Sequence, residues 1–213
     1  MSKKIAIFLA PTFETIEALT VADLATRAGI EYALIAVPAP GDSQAKAPAE
    51  GAMSQGQACR GHHAWVDSAQ GVRVRCTYRL GEKEACDYIA QADALVIPGG
   101  LPAASYLAEN KIILEMIKKA YTEDRQVLAA ICAGPLSFAA AGIIPEKSFT
   151  SYPGCLGELE PDRKSDGVVV DGKVITGQGP AYSTRFALEI VKSLAGEATA
   201  KKVAEGMLYP HAL

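Results

Sequence analysis

The chain has 213 residues, 49% of them hydrophobic, with a formal net charge of −3 and a pI near 5.7. That length and apolar content fit a single α/β domain spanning residues 1–213, with no second core required. The mildly acidic balance gives no basic footprint for nucleic acid or an anionic membrane, so a small molecule or another protein is the expected partner.

The amino terminus carries Lys3 and Lys4, but the apolar run at 5–10 is broken by Pro11 and Glu14, too short for a secretory core. No stretch approaches the length of a membrane span. Five cysteines (Cys59, Cys76, Cys86, Cys132 and Cys155) show neither a disulfide framework nor a C-x-x-C metal spacing. The expected home is a reducing cytoplasm, and no metal or cofactor is called for.

Residues 5–10 read as a strand buried on both faces, followed by a turn and a helix over 15–28 closed by Gly29. Glu17 falls in the first turn of that helix, near the carboxyl end of the first strand. By itself such a carboxylate is accounted for by the helix dipole, which favours acids at that end. Residues 30–37 form a second strand. The composition then changes: 38–64 is rich in Ala, Gly, Pro, Ser and Gln, and reads as a long insertion loop holding His62 and His63 with Trp65 just beyond. Adjacent histidines project in different directions and only Cys59 is near, so a surface loop is expected in preference to a metal site.

From Val72 to Leu80, apolar residues alternate with Arg73, Arg75, Thr77 and Arg79, the period of one strand with a wet face. A short helix over 82–90 leads to another buried strand at 94–98, which ends in Gly99-Gly100. Paired glycines there can bring backbone N–H groups close to a ligand, as in an oxyanion hole, or can form an ordinary tight turn. An amphipathic helix over 110–120 feeds a third apolar strand at 126–132. Alternation of strand and helix predicts a mostly parallel sheet with helices on both faces.

Cys132 closes the strand at 126–132 and is followed by Ala133-Gly134-Pro135 and a helix over 134–141. Small residues let the chain turn sharply, as in a nucleophile elbow. Ligands bind at the carboxyl edge of such sheets, and a helix N-terminus can lower a cysteine pKa from about 8.5 into the range ~3.5–7.5. A partial thiolate is therefore expected, although position alone leaves a buried structural thiol open as well. Beyond it, 148–152 reads as a short strand and 155–166 as a loop. The segment 168–176 reads as a hairpin turning at Asp171-Gly172, and 183–194 and 198–207 read as closing helices.

Taken together, Glu14-Thr15-Ile16-Glu17, Asp23, Arg27-Ala28-Gly29, Val96-Ile97-Pro98-Gly99-Gly100, Ala130-Ile131-Cys132-Ala133-Gly134-Pro135 and Gly177-Gln178-Gly179-Pro180 resemble the ThiJ/PfpI superfamily. The closest likeness is to the branch containing the Parkinson-disease-associated protein deglycase and its bacterial relatives. The likeness runs in order over nearly the whole chain apart from 38–64. It implies a flavodoxin-like three-layer sandwich, a homodimer, a reactive Cys132, and a protonated Glu17 hydrogen-bonded to its sulfur. Gly99, Gly100 and Ala133 would supply oxyanion donors. Cys76 falls where some relatives have a cysteine near the dimer interface, which would make the strand at 73–79 intersubunit rather than catalytic.

Two departures stand out. Where this branch carries a histidine in a Thr-His-Pro context, the chain has Ser151-Tyr152-Pro153, leaving the general base unassigned. Tyr152 is a possible accessory group: a tyrosine hydroxyl is a poor proton acceptor at neutral pH but a good hydrogen-bond donor. The second departure is the 38–64 insertion. Peptidase-like relatives place a histidine directly after the cysteine, where this chain has Ala133. Amidotransferases need a downstream His-x-Glu, whereas His211 is the only downstream histidine. The resemblance therefore implies a cofactor-free glyoxalase or deglycase acting on reactive aldehydes such as methylglyoxal, or on glycated protein. The alternative is a stress-responsive redox sensor or chaperone-like protein whose Cys132 is oxidised to sulfinic acid without turnover.

Overall fold

The computed structural model describes residues 2–41, 64–144 and 146–210. Most of the 38–64 insertion, with Cys59, His62 and His63, lies outside the described residues, as does His211. The strands are β1 (Lys4–Leu9), β2 (Glu31–Ala36), β3 (Trp65–Asp67), β4 (Arg73–Arg75), β5 (Tyr78–Arg79), β6 (Ala94–Ile97), β7 (Val127–Ile131), β8 (Val168–Asp171) and β9 (Val174–Gly177). The helices are α1 (Thr15–Arg27), α2 (Lys83–Gln91), α3 (Ala103–Glu109), α4 (Lys111–Thr122), α5 (Leu136–Ala140), α6 (Ser183–Ala195) and α7 (Glu197–Gly206).

Seven strands form one sheet in the order β5-β2-β1-β6-β7-β9-β8. All neighbours are parallel except β8 with β9. The apolar runs of β1, β6 and β7 are buried along nearly their whole length, as strands covered on both faces must be. α1, α6 and α7 pack together, while α3, α4 and α5 form a second group. Right-handed crossovers to opposite sides of β1 place these groups on opposite faces, which gives the expected three-layer sandwich. From β1 the chain passes first to β2 on one side and later to β6 on the other. The crevice between β1 and β6 is therefore the topological switch point, where open α/β sheets bind ligands beyond the carboxyl ends of their strands.

Several local expectations are corrected. The alternating segment 72–80 is two short strands that pair differently: β4 lies antiparallel to β3 in a separate ribbon, and β5 joins the edge of the main sheet beside β2. Trp65 accordingly belongs to a strand and not to a loop. Residues 148–152 form no strand, because β9 is already flanked by β7 and β8; the Thr150 N–H donates instead to the Thr176 side-chain oxygen at 2.9 Å. The loop expected at 155–166 contains a 3-10 turn over Gly157–Asp162. α3 precedes the expected helix at 110–120, and Asn110 separates the two by capping α4, its Oδ1 accepting from the Ile112 and Ile113 N–H groups at 3.1 and 3.2 Å. The β8–β9 hairpin turns through Gly172 and Lys173, and of these only Gly172 has a positive φ, +62°.

Candidate active site

Three strand ends converge at the switch point. β7 ends at Cys132, which sits in the left-handed region at φ +63°, a strain of roughly 1–2 kcal/mol for a residue with a side chain. The strain is held by backbone bonds on every side. The Cys132 N–H donates to the Gly177 carbonyl at 2.9 Å, its carbonyl accepts from the Tyr152 N–H at 2.9 Å, and the Gly134 N–H closes the turn on the Ile131 carbonyl at 2.8 Å. This is the sharp strand-to-helix turn that the sequence predicts, with the Cys132 thiol half-buried at the carboxyl edge of the sheet.

β1 delivers the second group. α1 starts immediately after the turn that follows β1, and its first turn carries Glu17, fully buried. Glu17 Oε2 accepts from the Gly99 N–H at 2.7 Å, and Oε1 has no hydrogen-bond partner among the described residues. The Glu17 carboxyl and the Cys132 thiol are close enough for each to act on the other's proton affinity. Only a glycine fits between the two. A Cβ on Gly99 would lie 2.6 Å from Cys132 Cβ, 2.7 Å from Glu17 Oε2 and 3.0 Å from Cys132 Sγ. Gly99 thus spends its N–H on orienting Glu17, while the N–H groups of Gly100 and Ala133 point at the sulfur.

Burial raises the Glu17 carboxyl to about 7 against the opposing pull of the Gly99 N–H and Cys132, with the nearby Glu14 charge adding to the rise. Burial, reinforced by the Glu17 negative charge, pushes the Cys132 thiol up to about 12, while the Ala133 and Gly100 N–H groups work in the other direction. The expected low-pKa thiolate is therefore corrected. The helix after the elbow has only five residues and begins at Leu136, so its dipole is too small and too distant to outweigh desolvation. Both shifts share a cause: the crevice resists two negative charges, and above about pH 7 the pair holds one proton between them.

Tyr152 reaches the site through its backbone. The residue is 53% exposed, and its hydroxyl makes no hydrogen bond among the described residues. Cys155, which the sequence did not single out as a site residue, lies beside the elbow with its Sγ 3.9 Å from the Cys132 carbonyl oxygen; a spacing of that kind carries no sequence signal. Among the described residues no three His, Cys, Asp or Glu side chains cluster to hold a metal ion, and no helix is long and apolar enough to cross a membrane.

The DJ-1/PfpI family model matches residues 3–193. Protein dj-1beta of Drosophila melanogaster is 29% identical over 213 residues, covering 98% of each chain. The Caenorhabditis elegans glutathione-independent glyoxalase DJR-1.2 is 39% identical over 106 residues, covering 49% of this chain and 56% of that one. The structure of oxidized Toxoplasma gondii DJ-1 superposes with a TM-score of 0.78 at 24% identity, over 99% of this chain and 100% of that one.

Proposed function

Because this chain belongs to the DJ-1/PfpI family, we propose that it is a cysteine-dependent, cofactor-free glyoxalase or deglycase acting on reactive aldehydes such as methylglyoxal, or on early glycation adducts of proteins. The observation that carries this reading is the fully buried Glu17 carboxyl, held by the Gly99 N–H beside the Cys132 thiol at the switch point. A relative named as a glutathione-independent glyoxalase supports the same class of substrate.

Ionised Glu17 takes the thiol proton as Cys132 Sγ bonds to the aldehyde carbon, and the carbonyl π pair becomes an alkoxide facing the Gly100 and Ala133 N–H groups. Protonation of that oxygen gives a hemithioacetal. Glu17 then removes the proton from the former aldehyde carbon and returns one to the neighbouring carbon, while the hydroxyl proton passes from the first oxygen to the neighbouring one, converting the adduct to a thioester of the 2-hydroxy acid. Water releases the acid and restores the thiol. No electron acceptor is needed, because one carbon is oxidised as its neighbour is reduced. Cys132→Ser should reduce lactate formation from methylglyoxal to background; undiminished turnover removes the nucleophile.

A second reading is favoured by the unpartnered Glu17 Oε1. Protonated, it would donate to an oxygen on oxidised Cys132 and stabilise a sulfinate, as a redox sensor requires. Mass spectrometry after mild peroxide tests this: the reading fails if Cys132 stays unmodified while other cysteines react.

A further inference from the structure

α1 begins without a cap of its own. The residue before it, Glu14, makes no side-chain bond to the first turn, whereas α4 is capped by Asn110. The leading N–H groups of a helix need partners from outside it, and α1 takes one from the β3–β4 ribbon. Gln70 lies in the turn between those strands. Its Oε1 accepts from the Thr15 N–H at 3.1 Å and from the Thr15 hydroxyl at 2.6 Å, while its Nε2 donates to Glu14 Oε2 at 2.9 Å. The turn that presents it is closed by the Ser68 N–H on the Val72 carbonyl at 2.9 Å and by the Val72 N–H on Ser68 Oγ at 3.0 Å, with Gly71 at φ +75°. The same residues of α1 are also held by Gly99. The Glu14 N–H donates to the Gly99 carbonyl at 3.0 Å, and the Gly99 N–H donates to Glu17 Oε2 at 2.7 Å. Little slack remains there, since a Cβ on Gly100 would lie 2.3 Å from the Thr12 carbonyl oxygen and 2.8 Å from the Glu14 nitrogen. The start of α1 is thus fixed by two turns, one of which also orients the carboxyl.

We propose that Gln70 is a positioning residue for Glu17: by bonding both Glu14 and Thr15 it supplies the cap that α1 lacks and holds the Glu17 carboxyl where it takes the Cys132 proton. The proposal rests on Glu17 being the proton acceptor for Cys132, and not on which electrophile the sulfur then attacks. Gln70 acts in two ways. It fixes the first turn of α1, two residues from the carboxyl, and misplacing a reacting group by 1 Å can cost ~10²-fold in rate. It also pins the Glu14 carboxylate, whose charge favours the protonated form of Glu17. Among the described residues, Glu14 and Cys132 are the titratable groups that act on the Glu17 proton. Because Gln70 is exposed, removing its side chain leaves no cavity in the core, so the loss falls on these bonds.

The test follows alkylation of Cys132 by iodoacetamide across neutral pH in the full chain, read by peptide mass spectrometry, alongside methylglyoxal turnover. In wild type the alkylation rate should rise to a plateau as Glu17 ionises. In Gln70→Ala the freed Glu14 carboxylate turns to solvent and water enters the first turn, so the rise should move to lower pH while the plateau and kcat fall about tenfold. A merely structural cap would lower the melting temperature and leave the rise and the plateau in place. Gln70→Glu alone sets two carboxylates together and should do no better than Gln70→Ala. Combined with Glu14→Gln, it re-forms the bond with donor and acceptor exchanged, and the plateau should return to within roughly twofold of wild type. An unshifted rise with an unchanged plateau in Gln70→Ala overturns the positioning role, as does a double variant no better than Gln70→Glu. If Gln70→Ala behaves as expected while wild type converts no methylglyoxal, the aldehyde reading fails and the positioning role stands. Wild-type Cys132 that resists alkylation at every pH overturns both.

Discussion

Glu17 is where a single residue decides most. In the proposed aldehyde reaction an ionised carboxylate first accepts the thiol proton, and burial pushes that carboxyl up to about 7. The kcat/KM for methylglyoxal should therefore rise with pH through about 7 and level off above it, and Glu17→Gln should lose that limb together with about 10²–10⁴-fold in rate. A profile flat across neutrality would remove Glu17 as the base. The same shift fixes a stability trend. The folded chain keeps the Glu17 proton up to about 7, whereas the unfolded chain releases it near the ordinary carboxyl value of 4.5, so between these values the native state binds more protons. Stability is greatest below the lower value and falls as pH rises through the window, by up to about 3 kcal/mol. Urea denaturation of Glu17→Gln across the same range should show this slope missing; an unchanged slope would mean that the carboxyl ionises freely in the fold. The sequence placed Glu17 and Cys132 at one sheet edge, but the direction of the thiol shift was not legible in it. That direction depends on how much solvent the folded crevice excludes, and a motif does not encode this locally.

Between elements, Gly99 and Asn110 separate what builds the site from what builds the scaffold. Gly99→Ala would force a methyl against Cys132 Cβ, Cys132 Sγ and Glu17 Oε2, at a cost of about 1–3 kcal/mol for an overpacked position. The carboxyl and sulfur must separate to admit it. Aldehyde turnover should fall to near the Cys132→Ser level while the far-ultraviolet circular dichroism is retained, and full activity would show that the close approach is dispensable. Asn110→Ala removes the α4 cap, at about 1 kcal/mol. A melting temperature lowered by about 2–4 °C with normal kcat/KM is expected, because α4 contributes no atom to the crevice. The elements that the sequence misjudged share a cause. Alternation over 72–80 records which side chains are wet but not which strand is the partner, so one pattern covered two pairings. Residues 148–152 have a strand's composition, but β9, against which Thr150 lies, is already flanked by β7 and β8.

At the scale of the whole molecule, the legible part was the set of apolar runs that became β1, β2, β6 and β7, because a strand buried on both faces has almost no choice of composition. The order of the strands follows from right-handed crossovers, but their convergence on one crevice needs the complete sheet. The short ribbon β3–β4 is the part least determined by local sequence, yet it braces the loop that launches α1. The Thr12 N–H donates to the Asp67 carbonyl at 2.8 Å and the Ala69 N–H to the Phe13 carbonyl at 2.9 Å, while Gln70 bridges Thr15 and Glu14. This brace and the central strands should differ sharply in local stability. β1, β6 and β7 have neighbours on both sides and are buried, whereas Arg73 and Arg75 of β4 are exposed and β4 pairs only with β3. Opening free energies run from near zero at exposed elements to the global value in the core. Hydrogen exchange should therefore protect the amides of β1, β6 and β7 orders of magnitude longer than those of β4. Protection of β4 equal to that of β1 would mean that the ribbon opens only with the whole sheet, which would make it part of the core rather than a brace on the α1 loop.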